Sequence, residues 1–151
     1  MAKKKGETTT TVSVGIRIDP KIKFALDMMG RQQKRSLTAV VEWAISNAIA
    51  QQASTQPQRS FSDLVDLVWS TDESTRFANM AFYMPTSLTF DELRIWETVE
   101  VSACMWYGSG DIEPERFNYH ALRKHWAALI EHVEKHKHSP TIQAFEPTDP
   151  E

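Results

Sequence analysis

The sequence predicts a mainly α-helical protein that has one β-strand near its N-terminus and an all-helical bundle domain after residue 60. Apolar residues recur at helical spacing through most of the 151 residues, whereas residues 10–18 alternate between apolar and polar. The charge also changes sign along the chain. Residues 1–59 hold ten Lys and Arg against four Asp and Glu, and residues 60–151 hold seven against sixteen. We therefore expect two modules with different partners.

The composition excludes several classes of protein. No apolar run approaches the length of about 18 residues that a membrane span needs, and the N-terminal MAKKKGETTTT is basic and polar, unlike a secretion signal. We expect no membrane partner and a cytoplasmic location. Because Cys104 is the single cysteine, an intrachain disulfide and a Cys-rich zinc site are excluded as well.

The first module opens with a basic arm over residues 1–9, which we expect to be flexible. The strand follows over 10–18 and ends at an Asp-Pro pair. Successive side chains of a strand point to opposite faces, so the alternating apolar residues share one face. These residues are Val12, Val14, Ile16 and Ile18.

Two helices follow the strand. Asp19 and Pro20 are typical of a helix N-terminus and predict a first helix over 20–33. Ser36 is the predicted cap of a second helix, in which apolar residues repeat at helical spacing over 37–49.

The second module begins after a linker-like segment, QQASTQPQRS, at 51–60. The helical domain is predicted over 61–138. Within it, Thr89 and Glu92 form a capping box that opens a helix of roughly 18 residues. The acidic, proline-rich tail over 139–151 is predicted to be disordered.

The lone strand predicts an obligate homodimer. A module of about forty residues is too small to bury a core by itself, and an isolated strand leaves its backbone groups unpaired. Both problems are solved when two copies pair their strands antiparallel across a two-fold axis and pack their helices together. The predicted dimer core consists of Val14, Ile16, Ile18, Val41 and Ile45 of both chains.

The order of these elements is similar to that of a known family. The strand VSVGIRIDP, the helix KIKFALDMMGRQQ and the segment KRSLTAVVEWAI follow one another within residues 10–50. They resemble the ribbon-helix-helix superfamily of DNA-binding proteins, which includes the Arc and methionine repressors. The resemblance implies an intermolecular antiparallel ribbon, one strand per chain, in the major groove of double-stranded DNA. It also implies a bacterial protein, associated with the nucleoid or encoded on a mobile element.

Carried over by position, the resemblance places the polar face of the ribbon against the bases. Arg17 would be the main reader, because a guanidinium can donate two hydrogen bonds to guanine, worth roughly 1–3 kcal/mol of discrimination. Gly15 departs from the family pattern, in which a polar reader is more usual. The expected base contacts are Thr11, Ser13, Gly15 and Arg17.

The resemblance also implies that the start of the second helix holds phosphate, because unpaired N–H groups there carry partial positive charge. Basic residues nearby add charge, and such contacts position the protein without reading sequence. The expected phosphate contacts are Lys21, Lys23, Lys34, Arg35, Ser36, Leu37 and Thr38.

The second module contains four of the five tryptophans. They predict the core of a bundle, with a ligand pocket or a protein-docking groove as the alternative. His132 and His136, one helical turn apart, are weak candidates for a metal site, since two ligands do not make one. Cys104 is expected to be a small apolar residue within a helix. No catalytic or cofactor motif is present, so we expect neither enzyme activity nor a cofactor.

Three functions are consistent with the sequence. The leading one is a homodimeric, sequence-specific transcriptional regulator that represses by occlusion and assembles further on adjacent sites. Its C-terminal domain would oligomerise or bind an effector or a protein partner. The second is an antitoxin that neutralises a toxin through its C-terminal domain and autoregulates its operon. The third is an accessory protein of plasmid partition or DNA transfer.

Overall fold

The computed structural model describes residues 11–148 and is mainly helical, as the sequence predicts. Short 3₁₀ turns occur at Pro85–Ser87, Ala103–Met105 and Pro114–Arg116. None of the described helices is long and apolar enough to cross a membrane. The α-helices of the described range are α1 (Pro20–Gln33), α2 (Leu37–Gln51), α3 (Phe61–Val68), α4 (Glu73–Tyr83), α5 (Phe90–Val101) and α6 (Tyr119–Lys135).

The β-strand predicted over 10–18 is not supported by this structure. Residues 11–19 have no regular secondary structure, and no strand is assigned within 11–148. A strand needs a neighbouring strand to satisfy its N–H and C=O groups, and the described part of this single chain supplies none. Residue 10 and the predicted basic arm over 1–9 lie outside the described residues.

The chain divides into two compact units, Met1–Ala48 (unit 1) and Ile49–Glu151 (unit 2). The predicted boundary lies close by, at residue 50, but α2 itself continues to Gln51. Part of the predicted linker over 51–60 is tied to unit 2, because the side-chain amide of Gln56 donates a 2.7 Å hydrogen bond to the Tyr83 carbonyl.

Local backbone interactions fix the ends of α1 in unit 1. The carboxylate of Asp19 accepts a 2.8 Å hydrogen bond from the Lys21 amide and caps the helix, as predicted. The helix ends at Gln33 and is followed by Lys34, whose φ of 53° is left-handed, and the Arg35 amide donates to the Gly30 carbonyl at 2.9 Å. A Cβ on Gly30 would lie 3.0 Å from the Arg35 carbonyl oxygen, so glycine permits this close turn.

Every helix of unit 2 that the structure describes in full begins at a side-chain cap. A cap oxygen accepts a hydrogen bond from an amide that the helix itself leaves unpaired. At α3 and α5 the acidic residue three positions later bonds back, which completes a capping box. The caps are Ser60 for α3, Asp72 for α4, Thr89 for α5 and Asn118 for α6.

The core of unit 2 is rich in aromatic rings that meet edge to face. The ring centroids of Phe82 and Trp96 lie 4.9 Å apart, and those of Trp106 and Phe117 lie 5.1 Å apart. Trp69, by contrast, is exposed. The buried members of this core are Phe77, Ala78, Ala81, Trp96, Val99, Met105, Phe117, Ala121, Leu122, Leu129 and Phe145.

Helix α5 is shorter than predicted. It ends at Val101 after 12 residues, because the buried Ser102 leaves the helical path. The Oγ of Ser102 donates to the Thr98 carbonyl at 2.5 Å and accepts from the Phe145 amide at 2.8 Å. Cys104 consequently lies in a 3₁₀ turn and not in the middle of a helix.

The C-terminal segment also differs from the predicted disordered tail over 139–151. Residues 142–147 have no regular secondary structure, but Phe145 is only 5% exposed and belongs to the core. A ring nitrogen of His132 lies 2.8 Å from the Gln143 carbonyl oxygen. One apolar residue in a polar, proline-rich segment therefore anchors the described part of it; residues 149–151 lie outside the described range.

Candidate functional site

The residues predicted to contact bases lie in the segment that precedes α1. All of them are exposed, and this segment has no regular secondary structure. Because no strand is formed, the described chain does not place them on one face. Their hydroxyls and the Arg17 guanidinium remain accessible to an external partner. The residues are Thr11, Ser13, Gly15 and Arg17.

The apolar residues of the same segment are exposed as well. Of the predicted dimer core in α2, Ile45 is exposed and Val41 is half-buried. Val40 is the one large apolar side chain that is buried in the described part of unit 1. Unit 1 therefore presents an unusual amount of apolar surface. The exposed fractions in the segment are 83% for Val12, 76% for Val14, 70% for Ile16 and 42% for Ile18.

The turn between α1 and α2 brings together five of the predicted phosphate contacts. The Oγ of Ser36 accepts a 3.2 Å hydrogen bond from the Ala39 amide and so caps α2. The amides of the first helical turn, including those of Leu37 and Thr38, have no acceptor inside a helix. Two cationic side chains, Lys34 and Arg35, directly precede this positive helix end.

The other two predicted phosphate contacts lie in the first turn of α1. Lys21 is exposed, and its amide is used by the Asp19 cap. The ammonium of Lys23 forms a 2.7 Å ion pair with Asp27. Both partners of this pair are accessible to solvent, so the pair is weak and phosphate can compete for the lysine.

The histidine pair proposed as a weak metal candidate is used in hydrogen bonds. Nε2 of His132 lies 2.8 Å from the Gln143 carbonyl, and Nδ1 of His136 lies 2.8 Å from the His132 carbonyl. A carbonyl accepts, so each of these nitrogens carries a proton, and the lone pair of each neutral imidazole lies on its other ring nitrogen. Within residues 11–148 no three His, Cys, Asp or Glu side chains are grouped as a metal site requires.

The Cys104 thiol is partly buried and lies 3.7 Å from the Phe145 carbonyl oxygen. Burial raises its pKa, with a smaller contribution from the nearby Glu146 carboxylate. A raised pKa disfavours the thiolate, which is the nucleophilic form.

An apolar groove lies between the helices of unit 2, where the tryptophans predict a ligand pocket or a docking groove as the alternative to a core. It has a volume of about 530 Å³, and nine of its twelve lining residues are apolar. Val68 and Phe77 are buried at the groove, whereas Trp69 is 63% exposed at its edge. The guanidinium carbon of Arg76 lies 5.2 Å from the centroid of the Trp69 ring.

The signal for this groove in the sequence was weak, because four helices contribute to it. Its clearest sign in the sequence was the pair Met80 and Met84, four positions apart beside an aromatic residue.

Comparisons of the chain with models of protein families, with curated proteins and with solved structures find no match.

Proposed function

We propose that this protein is a homodimeric, sequence-specific DNA-binding transcriptional regulator that acts as a repressor, with a ribbon-helix-helix domain in unit 1. The observation that carries the proposal is the exposure of the alternating apolar residues before α1, from 83% at Val12 to 42% at Ile18. Apolar side chains with this spacing and no cover within the described chain favour a partner of the same kind.

A second copy would satisfy both the backbone and the side chains of this segment. Two antiparallel strands pair their N–H and C=O groups and turn the apolar set of each toward the helices. Val14, Ile16 and Ile18 would then leave water together with Ile45 of α2. The shared core would add to the single buried Val40 of the described unit 1.

The same pairing would turn the polar set outward. Thr11, Ser13 and Arg17 would line the outer face of the ribbon, which is narrow enough for the major groove. The N-terminus of α2, with Lys34 and Arg35 beside it, would hold phosphate on either side. The excess of basic residues over 1–59 supports this role, because neutralised phosphates supply much of the affinity for DNA.

Unit 2 would contribute assembly or regulation. Its acidic composition is unsuited to DNA, and it has a core of its own. An antitoxin segment that folds only on its toxin lacks such a core. The structure of unit 2 therefore favours a self-standing domain for oligomerisation, effector binding or a protein partner, and a regulator over an antitoxin.

Two measurements test the proposal with the full chain. We expect sedimentation to give a dimer, and selection from random DNA to yield a two-fold symmetric site. Ile16→Asp should give a monomer that no longer binds that site, because the substitution places a charge in the shared core. Ser13→Asp is the matched control; it should remain a dimer and lose DNA binding alone.

The single chain and the proposed dimer predict opposite results for Ile16→Asp. Ile16 is 70% exposed in the single chain, so Ile16→Asp should be harmless if no ribbon forms. If Ile16→Asp keeps the oligomeric mass and the DNA affinity of the wild-type protein, the ribbon is disproved. A dimer that selects no DNA sequence would leave the pairing intact and disprove the regulatory function.

A further inference from the structure

We propose that the apolar groove of unit 2 binds a small, lipophilic organic cation, a molecule with an aromatic or aliphatic body and one protonated amine. The groove is lined by residues of α3, α4, α5 and α6 together with Trp69 and Met84. Its volume of about 530 Å³ is in the range of pockets that hold drug-sized ligands. This site belongs to unit 2 alone and does not depend on the proposed function of unit 1.

The apolar part of the groove suits a molecule of variable shape. Phe77 and Val68 are buried, and the ring centroids of Trp126 and Phe77 lie 5.2 Å apart with the ring planes tilted by 45°. Met80 and Met84 add flexible, polarisable side chains that adapt to different apolar bodies. These contacts favour hydrocarbon or aromatic ligands over sugars or nucleotides, which need many polar partners.

The charged part of the groove favours a cation. The charged lining residues are two glutamates and one arginine. The carboxylate of Glu73 is exposed, and that of Glu92 uses one oxygen in the α5 cap at 2.8 Å. Residues 60–151, to which the groove belongs, carry seven basic residues against sixteen acidic ones. The negative electrostatic potential of this excess also attracts cations.

Arg76, the single cationic residue among the twelve described lining residues, is already bound. Its Nη1 donates to the Ser70 carbonyl at 2.6 Å, and its guanidinium lies over the Trp69 ring. The interaction with Trp69 shows that this ring accepts a cation on its face. Because Arg76 already occupies the face of Trp69, a ligand amine would interact with the other indole of the groove, Trp126, and with the Glu73 carboxylate.

The test uses three probes that share one aromatic body. Naphthylmethylamine is cationic at neutral pH, naphthylmethanol is neutral and naphthoate is anionic. We expect the amine to bind the full-length protein about three- to fivefold more tightly than the alcohol, and naphthoate to bind least. The indole N–H resonances of Trp69 and Trp126 should shift in NMR spectra, while that of Trp106, bonded to the Val99 carbonyl at 2.9 Å, should not.

Three surface variants, one of them a control, separate the effect of charge from that of shape. Glu73→Gln should abolish the preference for the amine and leave the affinity for naphthylmethanol unchanged. The matched control is Asp66→Asn, an exposed acid of α3 outside the groove, which should keep the preference. Trp69→Ala should weaken all three probes by about tenfold, and the exposure of Trp69 means that the fold should survive.

Several outcomes would overturn the proposal. Equal affinity for the three probes, or no measurable binding, removes the site. Preference for naphthoate reassigns the groove to anions held by Arg76. If Trp69→Ala lowers the oligomeric mass and leaves probe binding unchanged, the groove is an interface between copies of the chain.

Discussion

The backbone amide of Phe145 donates a 2.8 Å hydrogen bond to the side-chain oxygen of Ser102, 43 residues earlier in the chain. Ser102 is fully buried, and its hydroxyl proton is donated in turn to the Thr98 carbonyl at 2.5 Å. This one hydroxyl therefore ends α5 and fixes the C-terminal segment on the core. Both roles depend on an oxygen that accepts and donates at once.

We expect Ser102→Ala to destabilise unit 2 by about 1–3 kcal/mol, because the buried Phe145 amide would lose its acceptor. The measurement is urea unfolding followed by tryptophan fluorescence. Ser109→Ala is the control, since Ser109 is exposed and its loss should change stability little. Equal stability of the two variants would mean that the hydrogen bond contributes nothing.

A second expectation concerns the side chain that this hydrogen bond holds in place. Phe145 lies 5.6 Å from the ring of His132 and 6.0 Å from that of His125, measured between centroids. Phe145→Ala should destabilise unit 2 by about 3 kcal/mol and expose the 139–148 segment. Hydrogen exchange would detect the release. Ile142→Ala, which removes a 39% exposed residue of the same segment, should leave exchange nearly unchanged.

The starts of the helices were predictable, because their signals are local. Asp19 with Pro20 and Thr89 with Glu92 each form a cap within a few residues, and the structure has helices at both places. The end of α5 was not predictable, since Ser102, at which it ends, is bonded to the Phe145 amide, which is distant in sequence. Sequence pattern alone assigned that phenylalanine to a polar tail.

The candidate sites also differ in whether their residues are close together in the sequence. The cap of α2 was predictable because Lys34, Arg35 and Ser36 are adjacent in sequence, and Ser36 caps the helix in the structure. Phosphate binding at this turn stays a prediction. The apolar groove was predicted only as an alternative and without its lining, because Trp69 and Trp126, which both line it, are distant in sequence. The predicted strand is not supported by the single-chain structure, because its backbone pairing would need a second chain.

A third prediction separates stability from DNA affinity at Lys34. This residue has a left-handed φ of 53°, which is strained for residues other than glycine. Lys34→Gly should stabilise the turn by about 1 kcal/mol, whereas Lys34→Ala should not. Both variants should weaken DNA binding alike and lower the salt slope by about one per chain. Hydrogen exchange in α1 and a salt titration measure the two effects.

The two Lys34 variants control for each other. Each removes the same charge, so a difference in stability between them reports the backbone conformation alone. An unchanged salt slope in both would exclude Lys34 from phosphate contact. Equal protection of α1 in the two variants would mean that the left-handed turn stores no strain.

A fourth prediction concerns acid stability at the start of α4. Asp72 accepts hydrogen bonds from the Ser74 hydroxyl and the Thr75 amide, both at 2.7 Å, and these bonds, with Arg123 at 3.7 Å, hold its pKa well below the usual range. A pKa lower in the folded than in the unfolded state stabilises the fold above the unfolded pKa of about 4. That contribution is lost as the pH falls below this value.

The test compares the wild type with Asp72→Asn, which keeps an N-cap but has no charge. We expect the wild type to be more stable by about 0.5–1 kcal/mol at neutral pH, where the carboxylate also interacts with the helix dipole. The difference should shrink as the pH falls below about 4 and vanish only below the lowered pKa of Asp72 in the folded state. A difference that is constant over the whole pH range would assign the effect to packing and not to ionisation.

The last prediction concerns sequence reading by Arg17. In the proposed ribbon this guanidinium contacts base edges, whereas Lys21 contacts phosphate. Arg17→Ala should therefore reduce the preference for the selected site over a scrambled site by about tenfold or more, since a bidentate contact to guanine is worth roughly 1–3 kcal/mol. Lys21→Ala should weaken binding to both DNAs by the same factor. Both residues are exposed in the single chain, so neither substitution should affect folding. Competition binding with the two DNAs measures the ratio directly, and if Arg17→Ala leaves that ratio unchanged, the ribbon does not read bases through this residue.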